Sequence, residues 1–304
     1  THASKRILER AALGRPWRGA WRVHVPYLLR LKTYDAFFPA GLLVAKANAT
    51  LEKMGLALSR YPNIALDLEP RPKKNPRACC YPTRVPEEIH LLLKPVGGLA
   101  DYETFFHEGG HALHYASTDG RLPYEYRELS RSHALTETYA FLFENITMNE
   151  TWLERAMGLP RDVRCRVRRE GILSSFFLYR RYVGKFLAEL AFFERGDTGD
   201  TSFYERHLRE ATQFRYEPSA YLTDRDGEFY SVDYLRAWTH EAVLEQDLRA
   251  RFGEAWFESG EAGRFLTELW RNGDREEPEA LVRRLGHEPW DMSCLENRFK
   301  EIMS

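Results

Sequence analysis

Phe105-Phe106-His107-Glu108-Gly109-Gly110-His111-Ala112-Leu113-His114-Tyr115 is the stretch on which the reading of this chain turns. On a helix of about 3.6 residues per turn, His107 and His111 project from one face, near enough for both imidazoles to grip one metal ion. Glu108 stands between them. This is the H-E-x-x-H pattern, in which the two His bind zinc and the Glu acts as general base. So short a pattern also arises by chance, and its surroundings decide its weight. Phe105 and Phe106 before it and Ala112 and Leu113 after it frame a buried helix, where imidazole nitrogens need partners. Gly109 and Gly110 each cost about 1 kcal/mol relative to Ala in a helix interior. A helix bears that loss where substrate or another backbone must come close.

Downstream, Leu135 to Asn145 reads as a second buried helix carrying Glu137 and Glu144. Seven residues is close to two turns, so both carboxylates face one way. A buried acid pair on an apolar helix calls for a cation or donors, and the first helix supplies the cation. His133, one turn before Glu137, is a rival ligand or a group supporting one. His114 reads as a satisfied structural His.

The two segments together resemble the thimet oligopeptidase and oligoendopeptidase F group of zinc metallopeptidases, within the gluzincin class. His107, Glu108, Gly110, His111, Ala112, Leu113 and His114 match the group's His-Glu-x-Gly-His-Ala-Leu-His position by position. Glu137, Glu144 and Asn145 fit its next helix, where the resemblance implies that Glu137 is the third zinc ligand. The clear likeness covers about residues 65–150, with a fainter echo over 215–260. A carboxypeptidase family of the same class has a similar helix pair. The resemblance also implies a chain about twice as long, with an N-terminal helical half roofing the substrate channel. The present chain begins at Thr1 rather than Met and reads as the catalytic half. An N-terminal Thr is a nucleophile in some hydrolases, but nothing around this one supports that chemistry.

At 304 residues the chain is long enough for one large domain. A net charge of -1 argues against nucleic acid or a membrane surface as partner. No apolar run approaches the length of a membrane span. Cys79, Cys80, Cys165 and Cys294 are too few for a disulfide scaffold, and adjacent Cys79 and Cys80 do not form a C-x-x-C knuckle. Both points favour a reducing, cytoplasmic setting.

Residues 4–20 and 36–60 read as helical, punctuated by Pro16, Pro26 and Pro39. Residues 63–68, 77–81 and 88–94 read as strands. Between them, Pro70 to Pro76 forms a basic loop around Lys73 and Lys74, either solvated or in contact with a peptide carboxylate. The strand before the zinc helix is expected at a sheet edge, where unpaired backbone can take an extended substrate. Gly97 and Gly98 end that strand, and Asp101 is placed to cap the helix. Beyond Thr151 the pattern is helical, with a core helix over 172–193 and a break at 196–200.

Tyr216, Tyr221, Tyr230 and Tyr234 gather around an Asp-Arg-Asp-Gly turn at 224–227, followed by Arg236, Trp238 and Glu241. A Tyr hydroxyl can steady the oxyanion formed when a peptide carbonyl is attacked, and Tyr230 or Tyr234 is the candidate. The resemblance is inexact here. Alignment on Trp238 puts Asp233 and Arg236 where the group has Tyr, and no His lies between 208 and 239.

The sequence therefore predicts a mainly α protein with a small β-sheet, a zincin-like catalytic domain over 1–304. Its sheet and zinc helix occupy about 60–150 and its helical part 151–304. His107, His111 and Glu137 would bind one zinc, Glu108 would be the base, and Glu144 would support the ligands from behind. The expected partner is a short peptide substrate, cut internally. Two alternatives stand beside this. One is a metallocarboxypeptidase, with Arg77, Arg225 or Arg236 taking the C-terminal carboxylate. The other is a non-catalytic helical protein with a structural zinc.

Overall fold

Short stretches of alternating apolar residues, cut by Pro and Gly, limit the sheet to three strands among the described residues, and most of the remainder is helix. A computed structural model describes residues 20–74, 78–130, 132–196 and 200–301. The strands are β1 (Ile64–Asp67), β2 (Cys79–Arg84) and β3 (Glu88–Leu92). The helices ahead of the sheet are α1 (Val25–Leu29) and α2 (Leu43–Lys53). After the sheet come α3 (Leu99–Ser117), α4 (Ala134–Glu144), α5 (Glu150–Arg155), α6 (Arg161–Arg195) and α7 (Ser202–Thr212). The chain ends with α8 (Tyr221–Asp224), α9 (Tyr230–Phe252), α10 (Gly260–Trp270), α11 (Pro278–Arg284) and α12 (Ser293–Lys300).

The strand order is β1-β3-β2, with β1 parallel to β3 and β2 antiparallel to it. The strand before the histidine helix is thus central, not at the edge as expected. The reason lies in the side chains. Ile89 and Leu91 of β3 are fully buried, whereas β2 carries Pro82, which has no N–H to give a second neighbour. The two edges are β1 and β2, and β2 lies against α3.

Other expectations shift at their boundaries. The helix read over 36–60 is α2 flanked by short 3-10 turns, ending where Gly55 takes φ 76°. The helix read over 4–20 lies outside the described residues, apart from Ala20, and so do Asn75 to Arg77. In the basic loop, Lys74 bonds to Asp67 Oδ1 at 3.0 Å and to the carbonyls of Asp67 and Glu69, so it staples the loop rather than waiting for an anion. Asp101 is not the N-cap of α3. Gly98 holds that position, and Asp101 reaches back to accept the N–H groups of Val96 and Gly97 at 2.6 Å each. The core helix read over 172–193 belongs to the longer α6, which buries one face and leaves Phe193 largely exposed. Among the described residues no helix is long and apolar enough to cross a membrane.

The core gathers around α3. Tyr102, Phe105 and Phe106 pack with Tyr139, Leu142 and Phe143 of α4 and with Trp152, Trp256 and Trp270 beyond it. Residues before and after position 150 thus share one apolar cluster. Gly110 explains how closely α3 and α4 approach: a Cβ there would meet Ala140 Cα and Tyr139 O at 2.8 Å. Gly109 meets nothing within 4 Å, so backbone approach accounts for one glycine of the pair.

Gly110→Ala tests this packing. Helix propensity favours Ala by about 1 kcal/mol, but the overpacking should cost about 1–3 kcal/mol and dominate. Urea unfolding should therefore give a net loss of stability, and a stabilised variant would refute the close approach.

Candidate functional site

The side chains of α3 and α4 that face one another across this contact are the ones the H-E-x-x-H reading singled out. The ligand atoms of His107, His111 and Glu137 all lie within 4.8 Å of one another. Glu137 Oε2 is 3.4 Å from His107 Nε2 and 3.7 Å from His111 Nε2. The outer ring nitrogens are committed elsewhere: His107 Nδ1 is 2.7 Å from Glu144 Oε2, and His111 Nδ1 is 2.8 Å from Thr136 Oγ1. A carboxylate only accepts, so Glu144 takes the Nδ1–H of His107, and in the neutral ring the lone pair is then on Nε2. Both Nε2 atoms are thereby turned toward one carboxylate oxygen.

Glu137 is 2% exposed, and its two oxygens differ. Oε1 accepts the Tyr230 hydroxyl at 2.6 Å, while Oε2 is buried with no hydrogen-bond donor among the described residues. A buried carboxylate oxygen without a donor is costly, on the order of several kcal/mol for the charged group. A cation placed among His107, His111 and Glu137 removes that cost, and two imidazoles with one carboxylate form a donor set suited to zinc. The residues present fit a metal ion of that kind.

The electrostatics agree. Burial opposes a charged His107, yet the carboxylates of Glu137 and Glu144 beside it outweigh burial and raise its pKa well above the usual imidazole value. A proton on Nε2, or a cation in its place, supplies the positive charge the carboxylates demand. Burial lowers His111 to about 4. Burial alone would raise Glu137, but His111, His107 and the Tyr230 hydroxyl prevail and bring it down to about 2. Glu137 is thus a carboxylate at any ordinary pH.

Glu108, next to His107 on α3, lies by the sheet edge, where its Oε2 accepts the backbone N–H of Cys80 at 2.6 Å. Burial raises its pKa, against the pull of His107 and of that N–H. Tyr234 stands one turn beyond Tyr230 with its ring against Tyr230, Tyr182 and Phe141 at 5.0, 4.7 and 5.7 Å. Burial and the charge of Glu137 push its pKa upward, so its hydroxyl keeps its proton.

The four-tyrosine group of the sequence divides in two. Tyr216 and Tyr221 are buried in a separate cluster with Phe177, Phe203 and Tyr204, because α7 and α8 fold onto α6 and away from α4. His133 is not in the ligand group: it precedes α4, and its ring lies 4.9 Å from that of Tyr230. His114 is buried as expected but not satisfied. Neither ring nitrogen has a hydrogen-bond partner among the described residues, and it packs on Tyr139 and Tyr115 instead. Glu241 is locked to Arg298. Of the arginines considered for a peptide carboxylate, Arg236 is held by Glu279 through two 2.8 Å bonds and Arg225 lies over Phe192. Arg77 lies outside the described residues.

Thr136 and the Cys80 N–H went unnoticed in the sequence. Thr136, beside Glu137, could have been read as a neighbour of the ligands. Nothing local marks Cys80, since its part is played by the backbone.

No family model matches the chain, and no curated protein matches it by sequence. Solved structures do. It superposes on a protein assigned as a peptidase from Chlamydophila abortus with TM-score 0.63 at 16% identity. It also superposes on one assigned as an oligoendopeptidase F from Bacillus anthracis, with TM-score 0.63 at 15% identity. The third is the M32 carboxypeptidase from Deinococcus radiodurans, with TM-score 0.64 at 16% identity. Each superposition covers 99% of this chain but 52%, 54% and 64% of those chains respectively, so the chain spans about half to two thirds of their length. At such identity the likeness concerns architecture: the chain has the mainly helical, small-sheet fold of the zincin-like peptidases.

Proposed function

We propose that this protein is a zinc-dependent peptidase that hydrolyses peptide bonds in short peptides. The observation that carries the reading is Glu137 Oε2, buried without a donor and facing the Nε2 atoms of both His107 and His111. These three side chains would hold the ion, with Glu144 and Thr136 orienting the imidazoles from behind. When bound, zinc supplies a Lewis acid that polarises a carbonyl and makes a nearby water more acidic.

The chain's own groups do the rest. Glu108 is the general base: held by the Cys80 N–H and raised in pKa by burial, it takes a proton from the attacking water and returns it to the departing amine. Tyr230 spends its hydroxyl on Glu137 and so fixes the third ligand. Tyr234 has no hydroxyl partner among the described residues, and it is the donor to the oxygen of the attacked carbonyl. The exposed edge of β2 beside Glu108 suits an extended peptide backbone.

A carboxypeptidase remains the second reading, because one of the superposed structures is a carboxypeptidase. Against it, Arg225 and Arg236 are both engaged with other partners.

Three experiments test these assignments. Metal analysis should find a single zinc per chain, and Glu137→Gln should lower that content sharply; full retention would remove Glu137 from the ligand set. Glu108→Gln should keep zinc and reduce cleavage by about 10²–10⁴-fold, whereas unchanged cleavage would eliminate Glu108 as base. Amidating the C-terminus of a cleaved peptide should leave its rate within about twofold for an internal cut, while a carboxypeptidase would stall on the amide.

A further inference from the structure

Asp233 lies on α9 between the two tyrosines, yet its carboxylate is committed to another helix. Its Oδ2 accepts the backbone N–H of His133 at 2.8 Å, and its Oδ1 accepts the Ser132 hydroxyl at 2.7 Å. His133 occupies the N-cap of α4 and offers no side-chain cap of its own. Ser132 Oγ completes the arrangement by accepting the Ala134 N–H at 3.2 Å and Arg236 Nη1 at 2.9 Å. Arg236 is itself anchored on α11 by Glu279.

The first N–H groups of a helix have no partner inside it, and a negative charge near them is favoured by the helix dipole. Here that charge comes from a neighbouring helix, so capping α4 and docking α9 are one interaction. It acts close to where α9 meets the ligand. His133, the N-cap of α4, is one turn before Glu137, and Asp233 is one turn after Tyr230 on α9. The His133 ring lies against that of Tyr230 at 4.9 Å, and the Tyr230 hydroxyl reaches Glu137 at 2.6 Å.

We infer that Asp233 is a positioning residue: by capping α4 from α9, it sets the two helices at the register in which Tyr230 holds Glu137 in place. The inference rests on the reading of Glu137 as a metal ligand. Asp233 touches neither the ligand atoms nor the candidate substrate groups, and its influence passes through Tyr230.

The test uses Asp233→Ala, Asp233→Asn, Tyr230→Phe and the Asp233→Ala/Tyr230→Phe pair in the full chain. Zinc affinity is measured by competition with a chelator, and kcat and KM are measured on short peptides. Asp233→Ala should weaken zinc binding and lower kcat by about tenfold each, in the range for groups that orient metal ligands, with KM within about twofold. Asp233→Asn should recover part of the loss, because its amide oxygen still accepts the His133 N–H. In the Tyr230→Phe background the effect of Asp233→Ala on zinc affinity should shrink to within about twofold, as two residues acting through one contact are not additive. The inference is overturned if Asp233→Ala leaves zinc affinity unchanged, or if its full effect persists without the Tyr230 hydroxyl. Should Asp233→Ala fail to fold, Asp233→Asn replaces it in the same cycle, with the same outcomes deciding. A parent chain that binds zinc but cleaves no peptide defeats the peptidase reading and leaves the affinity cycle to decide on Asp233. One that binds no zinc overturns both.

Discussion

A carboxylate oxygen buried between two imidazoles, with no donor of its own, is the constraint to which the rest of this structure answers. Glu137 is nearly inaccessible, and its pKa is held down by His111, His107 and the Tyr230 hydroxyl rather than by water. Burying such a group is tolerable only if every neighbour is placed to offset it. The neighbours come from different parts of the chain. His107 and His111 lie on α3, Tyr230 on α9, and Glu144, two turns along α4, accepts from the far side of His107.

Bringing these groups together depends on how closely helices approach. The contact of Gly110 with the backbone at Ala140 allows α3 and α4 to lie near enough for their side chains to share one point. Beside α3, the sheet edge contributes through its backbone, and the Cys80 N–H binds Glu108. Two acids near the same imidazoles thus differ in environment. Glu137 is driven down by positive and hydrogen-bonding neighbours, whereas burial raises Glu108. In the function we propose, that separation suits one carboxylate to hold the metal and the other to exchange protons.

Tyrosines illustrate how a composition signal divides on folding. Four of them gather in the sequence around one turn, but α8 carries Tyr221 into the cluster of α6 and α7, while α9 carries Tyr230 and Tyr234 toward α4. Asp233 and Arg236, which break the resemblance where tyrosines were expected, are engaged at the N-terminus of α4. A departure from pattern here marks a different way of docking the helix. Among the charged residues, Lys74, Arg236 and Glu241 are similarly taken up by structural partners.

Local periodicity by itself determined that His107 and His111 share a helical face, that Glu137 and Glu144 share another, and that most of the chain is helical with a small sheet. These features depend on spacing along one helix or strand, which 3.6- and 2-residue repeats express directly. Tertiary structure alone decided the order of the strands, the separation of the tyrosines, the commitment of Asp233 to His133 and the backbone bond from Cys80 to Glu108. Each of those joins residues far apart in sequence, and each was chosen by burial and hydrogen-bond satisfaction among neighbours that no local pattern names. The edge position of β2 belongs with them: Pro82 made it permissible, but the buried Ile89 and Leu91 of β3 made it necessary.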